Sequence, residues 1–115
     1  MSKDNLQITS STGNREGVRI LRLKGSLNIQ TVFTLQDALK KETSPALILD
    51  FTDVPFIDSA GLGALVAVHI SSQKVMRKLA FAGMNAQVEA LIDMTHVSQL
   101  FKTYTTVKDA EASLA

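Results

Sequence analysis

The segment Ala46-Leu47-Ile48-Leu49-Asp50-Phe51 limits what this chain can fold into more than any other, because it is nearly unbroken in apolar residues and only of strand length. A strand with one wet face alternates apolar and polar residues. An unalternating run therefore marks a strand covered on both faces, as at the centre of a parallel sheet. Parallel neighbours cannot be joined by tight turns and need crossover connections, usually helices. The rest of the chain is expected to alternate strands with helices that lie against the sheet.

The flanking segments meet that demand. Residues 6–9 read as a short strand, Gly13-Asn14-Arg15-Glu16-Gly17 as a hairpin turn, and residues 18–24 as the partner strand. Over residues 29–42 the apolar positions Val32, Leu35, Ala38 and Leu39 recur at helical spacing. Asn28 serves as N-cap, Lys40 and Lys41 sit in the last turns, and Ser44-Pro45 is the stop. A second helix, too apolar to be fully wetted, runs from about residue 60 into the low seventies. Residues 79–82 form a strand that Gly83 ends, and Asn85 caps a third helix with Val88, Leu91, Ile92 and Met94 on one side. A last short strand falls within residues 100–106, and a C-terminal helix begins near Val107. No internal repeat or low-complexity stretch divides the chain, so one domain is expected over residues 1–115, with about the first five residues flexible.

Composition narrows the function. An apolar fraction of 45% with 20% charged residues is ordinary for a globular domain, and a net charge of +1 offers no field to hold a phosphate backbone. Lys74, Arg77 and Lys78 are the only local excess of charge, and they read as the solvated end of a helix, cations beside the negative end of its dipole. With no cysteine, disulfides and thiolate metal sites are excluded. The polar N-terminus lacks a signal-peptide core and no stretch has the length of a membrane span. The expectation is a cytoplasmic protein without a cofactor, and with neither nucleic acid nor membrane as a direct partner.

The segment that carries chemistry is Asp53-Val54-Pro55-Phe56-Ile57-Asp58-Ser59-Ala60-Gly61-Leu62-Gly63, where the buried strand gives way through an acidic turn to the apolar second helix. Ser59 reads as its N-cap, able to accept from the N–H of Gly61 or Leu62. The same hydroxyl, held at a helix start on an approachable loop, also reads as a phosphate acceptor. The two roles are compatible at different times.

The string Phe56-Ile57-Asp58-Ser59-Ala60-Gly61-Leu62-Gly63 resembles the phosphorylation-site signature of STAS-domain anti-sigma-factor antagonists. The likeness extends to the strand around Leu47 to Phe51 with Asp53, to Leu23-Lys24-Gly25-Ser26-Leu27-Asn28, and to residues 88–100. It implies an α/β STAS fold, a mixed β-sheet of four to five strands with about four helices packed against it. It further implies a non-enzymatic switch that binds an anti-sigma factor when unphosphorylated. That partner would be a serine kinase, which phosphorylates Ser59 with ATP, and a metal-dependent serine phosphatase would restore binding. Asn28, Asp58, Ala60, Gly61 and Leu62 would form the partner surface. Two positions depart from the pattern. Asn28 stands where the family has an acidic residue, and Ala60 where many members have a second hydroxyl, leaving Ser59 as the one acceptor in the motif.

Other chemistries are poorly served. A serine hydrolase needs a base near its nucleophile, but His69 lies roughly 15 Å along the same helix from Ser59. His96 falls in a later turn, and the first glycine of a Gly-x-Ser-x-Gly elbow is missing. No Walker-type phosphate loop is present, and Asp50, Asp53 and Asp58 are spread over a strand and a turn rather than gathered as metal ligands. The alternative within the same fold is a non-enzymatic scaffold or accessory subunit in which Ser59 only caps its helix.

Overall fold

The computed structural model describes residues 5–114; of the terminal residues expected to be flexible, 1–4 lie outside the described residues. The central run is a strand with both faces covered. Four further strands and four helices surround it, in the order β1 (Gln7–Thr12), β2 (Val18–Lys24), α1 (Val32–Lys40), β3 (Ala46–Asp53), α2 (Ser59–Lys74), β4 (Lys78–Ala82), α3 (Ala86–Met94), a short 3₁₀ turn (Ser98–Leu100), β5 (Thr103–Tyr104) and α4 (Val107–Ser113). The sheet runs β1-β2-β3-β4-β5. β1 is antiparallel to β2 and the remaining neighbours are parallel, so the sheet is mixed.

Alternation along the strands sorts the core into two layers. Leu47, Leu49 and Phe51 of β3 join Leu21, Leu23 and Phe81 in the larger layer, which packs on α1, α2 and α3 through Leu35, Leu65, Val68, Val88 and Ile92. Ala46 and Ile48 point the other way, with Val18, Ala80 and Ala82, onto Ala110 and Leu114 at α4. Alanines on that face let a seven-residue helix lie close to the sheet. In the larger layer Phe81 makes edge contacts with Phe51 and Phe101, ring centroids 5.8 and 5.0 Å apart.

The first helix begins later than its periodicity suggests, at Val32 rather than Ile29. The Asn28 side-chain oxygen accepts from the N–H groups of Gln30 (2.9 Å) and Thr31 (3.2 Å), and the Asn28 carbonyl accepts from Val32 N–H (2.9 Å). A tight turn over 28–31 thus precedes the regular helix, and Thr31, 1% exposed, is locked beneath it by donating to the Ser26 carbonyl. Of the residues expected on the buried side of α3, Val88 and Ile92 are buried, but Met94 is 78% exposed.

Candidate functional site

The site forms where β3 ends. Past Asp53 the chain turns at Val54 and Pro55, and Ile57 makes a single parallel bridge to Leu27, the residue that follows β2. Leu27 N–H donates to the Phe56 carbonyl and Asp58 N–H to the Leu27 carbonyl, each at 3.2 Å. These bonds pin the start of α2 beside the turn at Asn28.

Asp58, not Ser59, is the N-cap. Its carboxylate accepts from Gly61 N–H at 2.9 Å, with extended backbone at φ −106° and ψ −172°. Aspartate and serine cap equally well by type, and the carboxylate adds a charge favoured by the helix dipole. Ser59 is displaced to the first helical position. There it is exposed, and among the described residues its hydroxyl has no hydrogen-bond partner.

Gly61 explains itself by close approach. A Cβ there would collide with the Leu27 carbonyl oxygen and lie 3.2 Å from the Leu27 side chain. Gly63, two residues on, faces open space, with nothing within 4 Å of a Cβ.

The structure gathers all six expected site residues at one end of the sheet, in different roles. Ser59 is exposed, and Asp58 and Ala60 are half-buried. Gly61 is buried and Leu62, 9% exposed, belongs to the core, so these two fix the position of the helix end rather than offering side chains. Asn28 is 7% exposed, its carboxamide turned onto its own turn. What the motif did not signal is an apolar rim: Ile29, Phe33 and Phe56 are 58%, 65% and 50% exposed on the segments the Leu27–Ile57 bridge holds together.

The remaining candidates are occupied elsewhere. Asp50 is buried and accepts from Thr52 N–H and its hydroxyl, and Asp53 pairs with Arg22 at 2.8 Å. His69 packs edge-on against Phe101, centroids 6.2 Å apart, and His96 sits in a turn with φ +61°. No helix of the described residues is long and apolar enough to cross a membrane.

A mixed five-stranded sheet with a free serine at the first position of the helix after its central strand defines a class of α/β domain. The STAS domain family model matches residues 10–110, and the chain belongs to that family. It is similar to an anti-sigma F factor antagonist of Paenibacillus polymyxa, 26% identical over 104 residues that cover 87% of each chain. Similarity extends to the anti-sigma-F factor antagonist RsfB of Mycobacterium tuberculosis, 25% identical over 108 residues, 90% of this chain and 86% of the relative. Among solved structures, an anti-sigma factor antagonist from Mycobacterium paratuberculosis superposes with a TM-score of 0.85 at 23% identity, covering 97% of this chain and 96% of that one. At that identity the superposition speaks for the fold alone.

Proposed function

We propose that this protein is an anti-sigma-factor antagonist in a partner-switching pathway, and that phosphorylation of Ser59 turns it off. The observation that carries the reading is the division of labour at α2: Asp58 caps the helix, leaving the Ser59 hydroxyl exposed and unbonded where a kinase can reach it. The names of the Paenibacillus and Mycobacterium relatives support the same role. Unphosphorylated, the protein binds an anti-sigma factor. That partner, acting as a serine kinase, transfers the γ-phosphoryl group of ATP to Ser59, and a metal-dependent serine phosphatase removes it. The protein is substrate and switch, and it catalyses neither step.

The physics of such a switch is local. A phosphoserine brings roughly −1.5 to −2 charges. On the free protein it stays in water, opposed by Asp58 but costing the fold little. Against a partner it must be desolvated beside the apolar rim of Ile29, Phe33 and Phe56, and burying an unpaired charge costs several kcal/mol. About 3 kcal/mol is a hundredfold in affinity, so no change of fold is required.

The test is incubation with candidate anti-sigma kinases and ATP. A mass increase of one phosphate is expected, absent in Ser59→Ala. Ser59→Asp is expected to remain folded while losing the anti-sigma partner, and full retention of affinity by this variant would sink the proposal. No transfer from any cognate kinase would favour the scaffold reading.

A further inference from the structure

The end of the sheet opposite Ser59 has a different character. β2, β3 and β4 start level there, Val18 beside Ala46 and Ala46 beside Lys78. The connections that meet at that end, residues 13–17, 40–45 and 74–78, contain the cations Arg15, Lys40, Lys41, Lys74, Arg77 and Lys78 against the acids Glu16 and Glu42. Glu42 is engaged by Arg19 at 3.4 Å. Among the described residues no carboxylate pairs with Lys74, Arg77 or Lys78.

At this end the turn Lys74-Val75-Met76-Arg77-Lys78 joins α2 to β4. Val75 is 67% exposed and Met76 is 89% exposed, the most exposed large apolar residue described. The turn closes α2 by a Schellman motif, Arg77 N–H donating to the Ser72 carbonyl (2.8 Å) and Met76 N–H to the Gln73 carbonyl (3.1 Å). That motif puts Met76 at φ +58°, a left-handed conformation in which glycine or asparagine is favoured and a long side chain is strained. Neither packing nor backbone accounts for a methionine here, which turns attention to what its side chain does outside the fold. Arg77 stiffens the turn, donating to the carbonyls of Ser44 (2.9 Å) and Glu42 (2.6 Å).

We propose that this turn is a membrane-contact tip, which inserts Val75 and Met76 at the surface of a bilayer containing anionic lipid while Lys74, Lys78 and the neighbouring cations sit at its headgroups. The geometry favours a bilayer over a protein. Two adjacent apolar side chains, 67% and 89% exposed, are flanked in the chain by Lys74 on one side and Arg77 and Lys78 on the other, the pairing that matches acyl chains below charged headgroups. Contact through this end leaves Ser59, at the other end of α2, facing away from the surface.

The test is co-sedimentation of the full chain with vesicles of phosphatidylcholine alone and of phosphatidylcholine mixed with phosphatidylglycerol. Binding to the mixed vesicles only is expected, weakening as salt is raised. Lys74→Gln should lower the partition coefficient about fivefold, the worth of one cation at an anionic surface. Met76→Gly should lower it about tenfold with no loss of thermal stability, since glycine suits this backbone. Failure to sediment with mixed vesicles overturns the proposal, as does unchanged binding of both variants. Capture of an RNA or an acidic polypeptide through this turn without vesicle binding overturns it equally.

Discussion

At the scale of single residues, two pairs in the motif look alike and differ in physics. Asp58 and Ser59 are both capping types, and spacing cannot say which holds the helix; only the backbone, extended at 58 and helical from 59, decides it. Asp58→Ala is therefore expected to cost about 1 kcal/mol in urea denaturation, whereas Ser59→Ala should stay within about 0.5 kcal/mol of the parent. The reverse order would return the cap to Ser59. Gly61 and Gly63 form the second pair. Gly61→Ala drives a methyl into the Leu27 carbonyl and should cost about 1–3 kcal/mol. Gly63→Ala fills open space inside a helix and should stabilise by about 0.5–1 kcal/mol. Residue type does not tell the two glycines apart, since an approach by the chain's own backbone leaves no trace in it.

At the scale of elements, legibility followed how local the determining contacts are. β2 was legible to its ends, because the turn before it and Gly25 after it are chemical stops. α1 begins three residues later than its periodicity predicts, because an asparagine that caps a helix and one that caps a turn before a helix look the same in sequence. β5 is only two residues long, held by β4 alone on one side, and no periodicity can declare so short a pairing. α4 depends on a contact 97 residues apart in sequence. Glu111, 7% exposed, accepts from Asn14 N–H at 2.7 Å and so ties the last helix to the β1–β2 turn. Seven residues are too few for a helix to stand alone, so this bond and the burial of Ala110 and Leu114 must hold it. Glu111→Ala is expected to cost about 2 kcal/mol. Hydrogen exchange should quicken in both α4 and residues 13–17, and acceleration confined to α4 would argue against the tie.

At the scale of the whole molecule, the formal charge of +1 is a sum over unlike ends and so concealed the basic one. The cations of residues 13–17, 40–45 and 74–78 collect where β2, β3 and β4 begin, whereas at the other end Asp53, the last residue of β3, is paired with Arg22, and Asp58 caps α2 beside Ser59. Adding a phosphate there deepens an asymmetry already present. It also reverses the sign of the net charge, because roughly −1.5 to −2 charges outweigh a total of +1. In native electrophoresis near neutral pH, the unphosphorylated protein should therefore move toward the cathode and the Ser59-phosphorylated protein toward the anode, with unchanged circular dichroism. Loss of the far-ultraviolet signal on phosphorylation would mean that the switch works by unfolding. Identical spectra with opposite migration would leave charge at the partner surface as the agent. A small net charge makes that agent effective, since one modification changes the sign of the whole protein.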